Sequence, residues 1–291
     1  MTTASSPLLV SGLRDIASEY DGILSDVWGV LHNGVSAFEK AHEALSAYRA
    51  ETGGAVVLIT NAPRPNPPIR EQLANLGVPL SAYDDIVTSG DVTRELLAKH
   101  PGSKLFHLGP DRDLALYEGL DVTLTSEDDA DLIGCTGLFH DETETPDDYR
   151  DQLARLAKRK LPFVCANPDI VVERGDRLIW CAGALGRLYE DLGGPLSIVG
   201  KPHKPIYDSA RSHLAKIRGR TVEDAKILAV GDGLPTDIRG ADSQGLDVLF
   251  VTAGIHAADF GPADTPDEGL IRRRLAEEGL SARAAIPRLV W

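Results

Sequence analysis

Ile23-Leu24-Ser25-Asp26-Val27-Trp28-Gly29-Val30-Leu31 is the stretch on which the fold turns. A short apolar run leads into one carboxylate, and a glycine follows soon after. Such a run is how a buried strand delivers an acid to the mouth of an open α/β sheet, where the carboxyl ends of parallel strands meet at one crevice. Two further runs end in the same manner. Val56-Val57-Leu58-Ile59 leads into Thr60-Asn61, and Ile227-Leu228-Ala229-Val230 leads into Gly231-Asp232-Gly233-Leu234-Pro235-Thr236-Asp237. In a doubly wound sheet these three strand ends can converge despite their separation along the chain.

The rest of the chain repeats the alternation of short apolar runs and helical patterns, which predicts a parallel sheet with helices on both faces. Strands are expected at Gly22–Ser25, Ala55–Thr60, Ile86–Thr88, Lys104–Leu108 and Leu132–Cys135, then at Pro162–Cys165, Ser197–Val199, Lys226–Val230 and Val248–Val251. Phe38, Ala41, Leu45 and Tyr48 recur at helical spacing over Phe38–Arg49, and Pro68–Leu76 stops before Gly77, a natural helix end. Thr145-Pro146-Asp147-Asp148 supplies an N-cap, a first-position proline and early acids for a helix running to about Arg159. Thr265-Pro266-Asp267-Glu268 repeats the device, with Glu268 placed for a capping box.

The 291 residues exceed the ~100–200 of one usual domain, so one large or two moderate domains fit. Hydrophobic residues at 43% and charged residues at 25% describe an ordinary globular chain with a core of normal size. A formal net charge of −14 argues against a nucleic-acid partner and against docking on an anionic membrane. It leaves room for a small anionic substrate, because a metal ion and a few lysines reverse the potential locally. Cys135, Cys165 and Cys181 are odd in number and widely spaced, and are expected as buried free thiols in a reducing compartment. The first residues lack the layout of a signal peptide, and no run approaches the ~18 apolar residues of a membrane span. The expected location is the cytoplasm.

The strand-end groups have coherent chemistry. Clustered aspartates favour a hard cation with oxygen ligands, and Mg2+ suits a site completed by phosphate oxygens and water. Thr60, Asn61 and nearby backbone N–H groups can hold an anion. Lys201, in Ile198-Val199-Gly200-Lys201-Pro202, adds a cation. A carboxylate nucleophile, a metal, a hydroxyl–amide pair and a lysine together form a phosphoryl-transfer constellation.

These segments also carry a resemblance. Asp26-Val27-Trp28-Gly29-Val30-Leu31-His32-Asn33-Gly34, Leu58-Ile59-Thr60-Asn61-Ala62, Gly200-Lys201-Pro202 with Pro205-Ile206-Tyr207, and Val230-Gly231-Asp232-Gly233 with Thr236-Asp237-Ile238 resemble, in order and spacing, the four motifs of haloacid dehalogenase (HAD) superfamily phosphatases. Ala166-Asn167-Pro168-Asp169 and Ala182-Gly183-Ala184 are similar to the cap of the class IIA branch, which includes 4-nitrophenylphosphatase-like and sugar-phosphatase-like members. The resemblance implies an α/β, Rossmann-like parallel-sheet core, interrupted by an inserted α/β class IIA (C2) cap. The core is expected at 1–101 and 196–291, and the cap, closing over the site, at 102–195. It further implies Mg2+-dependent hydrolysis of a small phosphorylated metabolite, a sugar phosphate among the options, through an aspartyl phosphate on Asp26. Asp232 and the backbone carbonyl of Trp28 complete the metal site with Asp26, and Asp237 either joins them at the metal or stands directly behind its ligands. Thr60 and Asn61 hold the phosphoryl group, and Lys201 balances charge between Asp26 and the phosphate. A homodimer fits the resemblance.

Each residue also has a plainer reading. Asp26 or Asp232 alone is an ordinary turn or cap acid, and Lys201 alone a loop lysine. Asp169 reads equally as a substrate contact or as part of an Asx turn after proline. His32 and Arg64 are substrate contacts or, respectively, a structural histidine and a surface arginine.

Position 28 departs from the resembled pattern. An aspartate there protonates the leaving oxygen and then deprotonates the attacking water. Indole N–H only donates a hydrogen bond, so Trp28 does neither. General acid–base help contributes roughly 10²–10⁴ in rate. Three readings stay open. The first is a phosphatase that favours good leaving groups or borrows a base such as His32. The second is a catalytically weak or inactive protein that binds phosphorylated ligands, and the third is a dehalogenase-type hydrolase.

Overall fold

The computed structural model describes residues 7–174 and 177–291. In chain order the strands are β1 (Leu8–Leu9), β2 (Gly22–Ser25), β3 (Ala55–Thr60), β4 (Asp85–Thr88), β5 (Ser103–Leu108), β6 (Val122–Leu124) and β7 (Leu132–Cys135). They continue with β8 (Phe163–Cys165), β9 (Val171–Arg174), β10 (Arg177–Trp180), β11 (Leu196–Ile198), β12 (Ile227–Gly231), β13 (Asp247–Val251) and β14 (Ala284–Ile286). Two compact units result. One takes in the chain up to Thr60, Arg70–Val87 and Tyr207–Trp291, and the other takes in Asn61–Ile69 and Thr88–Ile206.

The first unit is built on a seven-stranded sheet of order β1-β14-β13-β12-β2-β3-β4. The pairings from β1 through to β3 are parallel. Every residue of β2, β3 and β12 is buried, as expected of parallel strands covered on both faces. That is why these segments read as unbroken apolar runs and not as alternating ones. Helix Glu39–Thr52 buries Ala41, Ala44, Leu45 and Tyr48, the stripe that the spacing predicts. Its Tyr48 hydroxyl donates to the Tyr20 carbonyl at 3.0 Å. The α/β parallel architecture expected from the sequence is the one found.

The second unit carries a five-stranded sheet of order β11-β8-β7-β5-β6, again with parallel pairings, and a separate antiparallel hairpin of β9 and β10. Leu153, Leu156, Leu185 and Tyr189 cover one side of β7 and β8, with Tyr189 stacked on Phe163 at 4.8 Å between centroids. Leu97, Leu116 and Tyr117 gather with Leu105, Leu132 and Val164 in a second cluster. Cys135, Cys165 and Cys181 are free and buried here. Burial pushes the Cys165 thiol up to about 12 and the other two well above their ordinary value, so none has the character of a nucleophile.

Two capping expectations came out differently. Thr145 opens its turn as read, and the Asp148 carboxylate accepts its backbone N–H at 2.7 Å. At the later repeat of the device, the helix starts at Glu268 and the cap is Asp267, whose carboxylate accepts the Leu270 N–H at 2.9 Å. Thr265 is therefore not the cap, and Glu268 stands two residues before the position a capping box requires. Asp267 has the short acceptor a cap requires and lies nearer the apolar positions Ile271 and Leu275 that the helix buries.

Candidate active site

Asp26 leaves β2 one residue after Ser25, which lies in register with Leu58 of β3 and Val230 of β12. Its backbone N–H extends the ladder, donating to the Val230 carbonyl at 2.8 Å. Asp232 follows β12 directly, and Asp237 rides on the turn after it, where the Ile238 N–H reaches back to the Gly233 carbonyl at 3.1 Å. That widened turn is a π-type turn, which rotates Asp237 back toward the strand end. Parallel neighbours in this register end at one level, so their first loop residues share one space. Carboxylate oxygens of Asp26, Asp232 and Asp237 lie within 4.8 Å of one another, and all three residues are buried. Thr60, the last residue of β3, is buried as well.

Glycines make the space. Gly29 has φ +85°, and a Cβ there would stand 2.2 Å from Asp232 Oδ2. A Cβ on Gly254 would stand 2.0 Å from the same oxygen. The Ile255 N–H donates to that oxygen at 2.8 Å. Asp237 is held similarly, accepting the Gly233 N–H at 3.0 Å, while a Cβ on Gly231 would strike its side chain at 2.3 Å. Gly254 and Ile255 were not singled out from the sequence, and Gly29 was read there only as the glycine that follows the Asp26 strand end. Gly254 follows β13 at the same edge of the sheet, and that position was the available signal.

Buried carboxylates this close repel one another, and several backbone donors do not neutralise them. An all-oxygen set of this kind fits a hard divalent cation. Asp26, Asp232 and Asp237 therefore fit a metal on the chemistry of the donor set alone.

Trp28 and His32 form the other wall of the loop after β2. Their rings meet edge to face, 5.1 Å between centroids. Gly34 makes room for the indole, since a Cβ there would stand 2.6 Å from the ring. The indole Nε1 is buried and has no acceptor among the described residues. His32 is 2% exposed, and burial pulls its pKa down to about 4. Its Nδ1 accepts the Gly34 N–H at 2.9 Å, which places the single proton of the neutral ring on Nε2.

The remaining candidates lie in the second unit. Asn61 Oδ1 accepts the Lys201 N–H at 2.7 Å, and Asn61 Nδ2 donates to the Lys201 carbonyl at 3.2 Å and to Asp169 Oδ1 at 2.8 Å. The side chain of Asn61 is thus occupied with fixing the backbone of Lys201. Gly200 allows the approach, since a Cβ there would stand 2.6 Å from Asn61 Oδ1. The Lys201–Pro202 peptide is cis, and Lys201 is buried. Asp169 takes the Asx-turn reading, its N–H donating to Asn167 Oδ1 at 3.0 Å, while its carboxylate accepts from Asn61 Nδ2. Arg64 is half-buried, and its pKa is lowered first by burial, against the pull of the Asp113 charge. Asp113 is buried, and burial pushes its carboxyl up.

With fold and geometry in place, comparison with known proteins is direct. Residues 23–123 match the family model described as haloacid dehalogenase-like hydrolase, and residues 198–276 match a second, HAD-hydrolase-like model. A solved structure of a haloacid dehalogenase-like family hydrolase from Brucella suis is 50% identical, covers 97% of this chain and 100% of its own, and superposes with a TM-score of 0.87. The chain belongs to the haloacid dehalogenase-like hydrolase family. The ribonucleotide monophosphatase NagD of Escherichia coli is 27% identical over 81% of this chain and 89% of its own length. The glycerol phosphate phosphatase of Mycobacterium tuberculosis, solved in complex with magnesium, shares the fold at a TM-score of 0.63, with 24% identity over 82% of this chain and 70% of its own.

Proposed function

We propose that the Asp26 site hydrolyses a small phosphorylated metabolite, a sugar phosphate being one such substrate, with Mg2+ held by Asp26, Asp232, Asp237 and the Trp28 carbonyl. The family and its phosphatase members make the chain a phosphoric monoester hydrolase. The observation that carries the finer reading is the meeting of three buried carboxylates at adjacent strand ends, within 4.8 Å of one another.

In this reading a carboxylate oxygen of Asp26 attacks phosphorus, the ester oxygen leaves with the bonding electrons, and an aspartyl phosphate forms. Water then attacks that phosphorus, releasing phosphate and restoring Asp26. Thr60 offers its hydroxyl, and Asn61 its backbone N–H, to the phosphoryl oxygens. Lys201, its backbone fixed by Asn61, supplies a positive charge. Bound Mg2+ supplies further neutralisation of the phosphoryl charge. The cap role, selection of the substrate, is assigned to 102–195, with Asp169 and Arg64 as contacts. We place the protein in the cytoplasm and assign it a homodimeric state.

The surroundings of position 28 favour a phosphatase of good leaving groups over one that borrows a base. His32 stays neutral at physiological pH, and its Nδ1 is committed to Gly34. Leaving oxygens that depart as stable anions, as from aryl and acyl phosphates, need no proton from position 28. The test is phosphate release from 4-nitrophenyl phosphate and a panel of phosphometabolites with Mg2+, using Asp26→Asn as control. Turnover that vanishes in Asp26→Asn and on chelation is the expected result. Tight binding of phosphate esters without turnover would replace hydrolysis by ligand binding. Turnover of a chloroacid without metal would replace it by dehalogenation.

A further inference from the structure

A cavity of about 500 Å³ opens within the first unit, between the loop after β2, the start of helix Glu39–Thr52 and the ends of β13 and β14. None of Asp26, Trp28, Thr60, Asp232 and Asp237 lines it, so it is not the site described above. Its size falls in the roughly 300–1,000 Å³ range of small-molecule sites. Val30, Phe38, Val251, Ile286 and Leu289 give it apolar walls. Its charged lining is of both signs, with Glu39 and Asp264 against Lys40 and Arg288.

Arg288 is the best placed of these charges. Its guanidinium lies 5.8 Å from the Phe38 ring centroid, held over the apolar wall. Its ion pair is with Asp264, at 3.6 Å, and the Asp264 side chain is 89% exposed. Such a pair is weak and readily exchanged for a better one.

We propose that this cavity binds a small zwitterion with an apolar side chain, the chemistry of an apolar or aromatic amino acid. The carboxylate takes the fork of Arg288, the ammonium meets Glu39 or Asp264, and the side chain enters the apolar walls. A simple organic anion that took Arg288 would leave Asp264 without its partner, and a simple organic cation that took Asp264 would leave Arg288 without its own. The cavity also adjoins the acid cluster. Gly29 and Ala253 line it, while Gly29 and Gly254 stand against the Asp232 carboxylate on the other side. The cavity and the acid cluster thus share the backbone at Gly29.

The experiment is calorimetry on the full chain without phosphorylated substrate, so its outcome is independent of the phosphatase reading. The probes are L-phenylalanine, phenylacetate and 2-phenylethylamine, against the native chain and the exposed-rim variants Arg288→Ala and Glu39→Gln. Thermal melting verifies that both variants fold. L-Phenylalanine is expected to bind, with either single-charge analogue, and L-phenylalanine on Arg288→Ala, weaker by about tenfold or more. Absence of L-phenylalanine binding overturns the proposal. So does equal binding of phenylacetate, or an affinity unchanged in folded Arg288→Ala.

Discussion

The loops that leave the neighbouring strands β12 and β2 treat buried polar side chains in opposite ways. After β12, each acid receives a donor: Ile255 N–H for Asp232 and Gly233 N–H for Asp237. Gly231, with Gly29 from the loop after β2 and Gly254 from the loop after β13, leaves room beside those carboxylates that a Cβ would fill. After β2, beyond Asp26, the loop encloses Trp28, whose indole N–H finds no acceptor among the described residues, and a neutral His32. The loop after β12 presents carboxylates held by backbone N–H donors, and the loop after β2, beyond Asp26, presents uncharged side chains. The difference teaches that one strand-end crevice holds its polar groups by two means: Asp232 and Asp237 by backbone donors, Trp28 and His32 by burial.

The largest test of this contrast is Asp26→Asn, expected to lower turnover roughly 10⁴-fold or more in a phosphate-release assay, as for loss of a covalent nucleophile. Survival of activity would move the chemistry away from the loop junction altogether. Next in size is Trp28→Asp, which puts an acid into the uncharged loop. Turnover of alkyl phosphates is expected to rise by roughly 10²-fold, within the range of general acid–base help, and that of 4-nitrophenyl phosphate much less. A uniform loss on both substrates would show that the indole itself is needed. Gly254→Ala, in the loop after β13, attacks the acids that follow β12. Its Cβ would enter the space of Asp232, and Mg2+ affinity measured by activity titration is expected to fall about 10–100-fold.

The smallest effect is on stability. The folded His32 pKa of about 4 lies below the unfolded value near 6.5, so the unfolded chain takes up the proton first. Stability from this group is intact above about pH 6.5 and is lost as pH falls toward about 4. Between pH 7 and 5 the loss is about 2 kcal/mol. His32→Asn keeps an acceptor for the Gly34 N–H and has no proton to gain, so its denaturant midpoint should fall less over that interval. Parallel curves for the two proteins would mean that His32 titrates normally and the loop is not dry.

Much of the fold was legible because parallel strands buried on both faces must be written as unbroken apolar runs. β2, β3 and β7 fall where such runs stand in the sequence, with the same bounds. The strands not foreseen lack that signature. β1 is two exposed leucines at a sheet edge, β6 is a partly exposed edge strand, and β14 is mostly alanine, a poor strand former. The hairpin strand β10 reads Arg177-Leu178-Ile179-Trp180, three apolar residues in a row of which only Ile179 is buried, so no alternation marked it.

By itself the sequence determined the parallel α/β plan and the positions of Asp26, Asp232 and Asp237 at strand ends, because both follow from local pattern and the geometry of adjacent parallel strands. It also determined that position 28 has no proton to give. Only the tertiary structure decided that Gly29 and Gly254, distant in sequence, close on one carboxylate, that the side chain of Asn61 is committed to the Lys201 backbone, and that His32 is neutral. Those facts depend on which backbone atoms approach within a few ångströms and on how much water they exclude, and neither quantity is written in any one segment of the chain.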